Sequence, residues 1–249
     1  MGDLISRYTD MKVIVRVGEQ PNQEEFIIEE HLLQRSRFFE NVIKWKEKER
    51  AASKLTTQEP RELQPTQTII TLVKDDPTVF KLYTKWLQLD FLSMPVLHKG
   101  MTHRELFQEQ HLLCSAYMFG EAYQETAFQD TVIDALQHRS HHVEGYFLAD
   151  TELLWKVFNN TSKNSALRQL IADHYVWNYG DQSWQSDRMY REAPSDFYYH
   201  TSLSLRKKVN ASLMKPPTER LGECWYHAHK MVEGSHEDDT CYKQKMHFG

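Results

Sequence analysis

The strongest constraint on this chain lies between Met11 and Phe39, where the apolar spacing changes from that of a strand to that of a helix. Val13, Val15 and Val17 fall on one face, with Ile14 and Arg16 on the other, a division that extended backbone produces. Gly18-Glu19-Gln20-Pro21-Asn22 is a cluster of turn formers, and Glu25-Phe26-Ile27-Ile28 reads as a second strand. Leu32, Leu33, Ser36 and Phe39 then recur at helical spacing and predict one helix ending near Ile43. A hairpin feeding straight into a short apolar helix leaves an apolar face on each element, which the following residues must cover.

Those following residues supply complementary pieces. Lys44 to Arg50 reads as a solvated helical extension, and Thr56 to Thr68, with Pro60 and Pro65, as flexible, so that an inserted loop is expected over about 45–67. Insertions of this length are tolerated because closure entropy grows slowly with length. Ile69-Ile70-Thr71-Leu72-Val73 is a β-branched third strand. Asp75-Asp76-Pro77 is a helix start, since proline at the first helical position has no amide to leave unpaired. Val79, Phe80, Tyr83, Trp86 and Leu87 form one face of that helix. After a loop over Ser93 to His103, Leu106 to Phe119 is helical, Gly120 breaks it, and Ala127 to Leu136 forms another helix. Cys114 is read as a small core hydrophobe.

The ordered set of elements resembles the BTB/POZ domain, particularly as found in filamentous fungi. The resemblance rests on Phe26-Ile-Ile-Glu-Glu-His-Leu-Leu, Ser36, Phe38-Phe39, Ile70-Thr-Leu, Asp75-Asp76-Pro77, Phe80, Trp86-Leu87 and the Cys114 to Leu136 pair. It covers about residues 9–140. The implied fold is α+β: a small sheet with helices packed on it over 1–140, then a mainly helical extension over 141–215. That extension resembles the one following the domain in those proteins, through Trp155 to Phe158, Thr161 and Ser165 to Leu170. The implied function is a non-catalytic protein–protein interaction module that oligomerises with itself or with other proteins. A cullin-type ubiquitin-ligase substrate adaptor is the more specific version, implied for part of the family. Phe80, Tyr83 and Leu87, together with Leu106 and Leu112, are the expected partner face.

Composition narrows the partners. With Lys+Arg 30 against Asp+Glu 35 and no run of like charge, the chain offers no electrostatic footprint for nucleic acid. No segment approaches the length of a membrane span, and no secretory signal is visible near the start. Three cysteines make no disulfide framework and fit a reducing compartment, so cytoplasm or nucleus is expected.

In the second half, Leu153, Leu154, Val157 and Phe158 share a helical face, as do Leu167, Leu170, Ile171, His174 and Tyr175. Ser195-Asp196-Phe197 starts a last short helix. Trp155, Trp177, Trp184 and Phe197 are expected in packing. Pro216-Pro217 ends the helical region, and residues 216–249 form a polar tail. There Cys224, His227, His229 and Cys241 stand in a Cys-x2-His-x-His-x11-Cys spacing. Thiolate and imidazole donors suit zinc, which takes four tetrahedral ligands. The plain alternative is a mobile tail with solvated histidines. His138, His141 and His142 read as a solvated helix end. No Gly-rich phosphate loop, zinc-protease motif or nucleophile triad is recognisable, so an enzyme is not expected. A zinc-dependent enzyme or zinc-binding regulator built on the Cys/His cluster is the alternative of another class.

Overall fold

The computed structural model describes residues 11–56, 67–92, 101–142, 151–178, 192–210, 217–219, 224–228 and 241. The chain is α+β and forms two compact units, residues 1–93 and 94–249.

The first unit is built on a three-stranded sheet of order β2-β1-β3: β1 Lys12–Val17, β2 Glu24–Glu29 and β3 Thr68–Leu72. β1 pairs antiparallel with β2 and parallel with β3. The alternation of β1 decides which face is core. Val13, Val15 and Val17 are fully buried, and Val15 lies between Phe26 and Ile70 in register. Between β1 and β2, Gly18 sits at φ +91, which L side chains rarely adopt, while its amide donates to the Leu72 carbonyl.

The predicted single helix after β2 is two helices, α1 Glu30–Leu33 and α2 Arg37–Thr56. The break has a local cause. Ser36 Oγ accepts from the Phe39 amide at 3.3 Å, capping α2 and satisfying one of its orphan donors. α2 takes in the helical extension expected over Lys44 to Arg50 and runs on to Thr56, into the loop expected over about 45–67. Lys46 to Ala52 are mostly good helix formers, and Arg50 ties the helix to the sheet by donating to Thr68 Oγ1 and the Gln67 carbonyl. The remainder of that expected loop, 57–66, lies outside the described residues.

α3, Pro77–Leu89, starts as the sequence predicts: Asp76 accepts from the Thr78 amide at 2.7 Å, with proline at N1. It ends at Asp90 in the left-handed conformation, φ 59, where Asp90 pairs with Arg35. α3 supplies the aromatic core: the Phe80 ring lies 5.0 Å from Phe26 and 6.1 Å from Phe39, and Tyr83 lies 5.9 Å from Trp86.

The second unit is helical: α4 His103–Ala122, α5 Thr126–His142, α6 Thr151–Asn160, α7 Ala166–Asn178, α8 Ser195–Asn210 and a 3-10 turn at Pro217–Glu219. α4 starts earlier than its apolar spacing suggests because Thr102 and Glu105 form a capping box. It also continues past Gly120. That glycine is a packing residue: a Cβ there would lie 2.8 Å from Gln129 Cγ and 3.2 Å from Phe128 Cδ1 on α5. Arg139 and Glu109 form a buried ion pair at 2.7 Å that also joins α4 to α5.

α7 is buried nearly all round. Its Arg168, 3 % exposed, donates to the Phe158 and Thr161 carbonyls at the end of α6 and pairs with Asp196 at the start of α8. One guanidinium thus closes a helix C-terminus and an N-terminal carboxylate together, using its several donors in a fixed fork. α8 is longer than the expected short helix. Phe197 is core, as expected, but Trp155 is 46 % exposed, because the buried side of α6 is Leu153, Leu154, Val157 and Phe158. Trp184 lies outside the described residues.

Candidate metal centre

Residues 226–228, within the stretch expected to be a polar tail, are held by side chains on α5 and α7. Asp130 and Asp134 are four residues apart on α5, so they share a face. Asp173 lies on α7 and is fully buried. Tyr226 Oη donates to Asp173 Oδ2 at 2.8 Å, and Gln169 Nε2 donates to the other oxygen at 2.7 Å. The Ala228 amide donates to Asp130 Oδ1 at 2.5 Å. Tyr226 and His227 are both fully buried, so the expectation of solvated histidines fails at His227.

His227 is gripped from several sides. Nε2 lies 3.1 Å from Asp134 Oδ1, and Nδ1 lies 3.8 Å from Asp130 Oδ2. The same Nδ1 faces Cys241 Sγ at 3.4 Å, and Cys241 Sγ lies 3.6 Å from Cys224 Sγ. Cys224, His227 and Cys241 thus bring one donor atom each within 4.8 Å of one another, and this group can hold a metal ion. The cysteines are free thiols. Of the four residues singled out in the sequence, the structure brings three together. His229 lies outside the described residues, as do His236 and His247.

The carboxylates are what sequence reasoning missed. Asp130 and Asp134 stand at i, i+4 on the side of the helix opposite Phe128, Val132 and Leu136, so their spacing reads as an outward polar face and carries no signal of burial.

The other candidates resolve by burial. Cys114 is fully buried, and desolvation pushes its thiol up to about 12, which leaves it a core residue without thiolate character at neutral pH. Burial lowers His174 to about 4, so it is neutral. His138, His141 and His142 are exposed at the end of α5, their rings 4.3–5.1 Å apart. Desolvation first, and then the neighbouring His142, Arg139 and His141, lower His138.

Comparison with protein-family models, curated proteins and solved structures finds no match for this chain.

The expected partner face is corrected by burial as well. Phe80 and Tyr83 are 0 % exposed and Leu87 is 1 %, because they are the apolar core of the first unit and present nothing to a partner. Leu106 and Leu112 are half-buried. Apolar surface appears instead on the outer face of the sheet. Ile14 is in register with Ile27 on β2 and with Ile69 on β3, so three isoleucines form one row across the strands. Ile27 is 64 % exposed and Ile69 36 %. Among the described residues, no helix is long and apolar enough to cross a membrane.

Proposed function

We propose that this chain is a non-catalytic protein–protein interaction module of BTB/POZ type, binding a second copy of itself or another protein through the sheet of its first unit. The observation that carries the reading is the Ile27–Ile14–Ile69 row. Ile27 is mostly exposed, Ile69 partly so and Ile14 half-buried, and apolar surface of this kind left in water costs up to about 1.5–3 kcal/mol for a side chain fully exposed. The row is bordered by the Arg16–Glu25 ion pair at 2.7 Å. An apolar centre with a charged edge is the ordinary anatomy of a contact surface. A stable contact buries roughly 1,000 Å² or more in total, so the row is its centre and neighbouring residues complete it. The antiparallel hairpin with a parallel third strand, covered on its other face by helices, supports the BTB/POZ resemblance.

Ile27→Asp tests the reading without touching the core. Light scattering on the full chain is expected to show a self-associated species that this variant dissolves. A chain that remains monomeric at high concentration, and whose captured partners are the same with and without Ile27→Asp, refutes it.

A second reading concerns the Cys224, His227 and Cys241 group. Zinc is the ion we assign to it, because two thiolates and an imidazole are donors it favours over hard cations. In this reading the ion joins three donors from separate positions of the chain, in keeping with a binding module.

A further inference from the structure

Resting on that zinc reading, we infer that the ion is a clasp fastening the C-terminal segment to α5, bound through His227 Nδ1, with Asp134 as the positioning carboxylate that holds the ring. The distances favour this geometry. Zinc–sulfur bonds of about 2.3 Å and zinc–nitrogen bonds of about 2.0–2.1 Å at a tetrahedral angle place two sulfurs about 3.8 Å apart and sulfur about 3.6 Å from nitrogen. The chain holds Cys224 Sγ and Cys241 Sγ at 3.6 Å, and Cys241 Sγ and His227 Nδ1 at 3.4 Å. Two edges of the coordination tetrahedron are therefore already set. The third, Cys224 Sγ to the imidazole, lies within 4.8 Å and needs only a side-chain adjustment. A sulfur separation of 3.6 Å is far longer than a disulfide bond of about 2.05 Å, so the thiols are placed as two ligands and not as a crosslink.

The ring orientation assigns the two nitrogens. Nδ1 lies 3.4 Å from Cys241 sulfur, and Nε2 lies at ion-pair distance, 3.1 Å, from Asp134 Oδ1, short of hydrogen-bond alignment. With the ion on Nδ1, the proton of a neutral imidazole sits on Nε2, the nitrogen nearer the Asp134 carboxylate, and a small ring rotation aligns the two. A carboxylate on the far side of a ligating histidine fixes its tautomer and raises its basicity. Asp130 acts one residue further on: its Oδ1 holds the Ala228 amide, which fixes the backbone that carries His227. The ligands come from positions 224, 227 and 241, whereas both supporting carboxylates come from one face of α5. Loading the ion therefore joins positions 224, 227 and 241 to one another and holds His227 beside the helix in the same event.

The test uses the full chain. Zinc content is measured after purification and exhaustive dialysis, and affinity by competition with a chromophoric chelator. One zinc per chain is expected, with Cys224 and Cys241 protected from alkylation. Asp134→Ala should weaken zinc about 10–100-fold, with Asp134→Asn between the two because its amide oxygen still accepts a hydrogen bond. A long-range 1H–15N spectrum of the zinc-loaded wild type reads the metallated nitrogen directly, whether or not the variants fold, and Nδ1 is expected. If one zinc binds but through Nε2, or with undiminished affinity in a folded Asp134→Ala, the clasp geometry is overturned and the zinc reading stands. Absence of stoichiometric zinc, with alkylation unchanged by added zinc, overturns both.

Discussion

Tyr226→Phe removes one hydroxyl and nothing else, and so measures how firmly the C-terminal segment belongs to the helical unit. The ring is fully buried, and Phe retains its packing. What is lost is a 2.8 Å hydrogen bond from Tyr226 Oη to a carboxylate that is itself 0 % exposed. Hydrogen bonds to charged groups contribute about 1.5–3 kcal/mol, and water cannot easily replace this one, because Asp173 lies inside α7 packing. Gln169 still serves the other oxygen, which keeps the loss within that range. For a unit of this size each kcal/mol lowers the melting temperature by about 2–4 °C, so a drop of about 3–12 °C is expected. Thermal unfolding of the full chain followed by far-UV circular dichroism gives the shift, with urea unfolding as the independent measure. Asp173→Asn is the partner variant. Its amide can accept from only one of the two donors, so the double variant should lose less than the sum of the singles. A Tyr226→Phe melting temperature within a degree of wild type, with additive singles, would refute the docking of the segment through this bond.

The remaining predictions concern the helical unit. Gly120→Ala, which on an exposed helix would stabilise, is expected to destabilise by about 1–3 kcal/mol, because the new Cβ meets Gln129 Cγ at 2.8 Å; a gain in urea midpoint would refute the close approach. His174, lowered to about 4 by burial, binds its proton in the unfolded chain well before it does in the folded one. Its contribution is thus complete above pH 6.5 and is lost as pH falls toward 4, at about 2 kcal/mol between pH 7 and pH 5. Urea unfolding at those two pH values should show this slope in wild type and a shallower one in His174→Leu.

The sheet was legible because its period is strict. Each alternation in β1 maps onto one face, and Asp76-Pro77 announces α3 by chemistry that needs no tertiary partner. The helix ends were less legible because side-chain caps compete with apolar spacing. Ser36 splits what the spacing joins, and the Thr102–Glu105 box starts α4 before its first apolar residue. Gly120 misleads for a different reason. A glycine reads as a breaker locally, but here it is the contact that lets α4 approach α5. Cys224, His227 and Cys241 were visible as metal-binding residue types near one another in sequence. Asp130, Asp134 and Asp173 were not, since they lie some 50–100 positions upstream of the segment they hold, and nothing in local spacing reports such a contact.

That separation also explains why Tyr226 and His227, in a stretch of polar composition, are buried. Asp130 and Asp173 are 1 % and 0 % exposed, and a buried carboxylate is costly unless donors meet it. Two of those donors, the Tyr226 hydroxyl and the Ala228 amide, come from three consecutive residues of the C-terminal segment, with His227 between them. The helices thus contribute acceptors and the segment contributes donors. Polarity at these positions marks complementary halves of one interior, and the same three residues carry the imidazole to the two thiols. A metal-binding group placed there is tied to the core of the unit, so loss of a ligand should register as loss of helical stability as well as of metal.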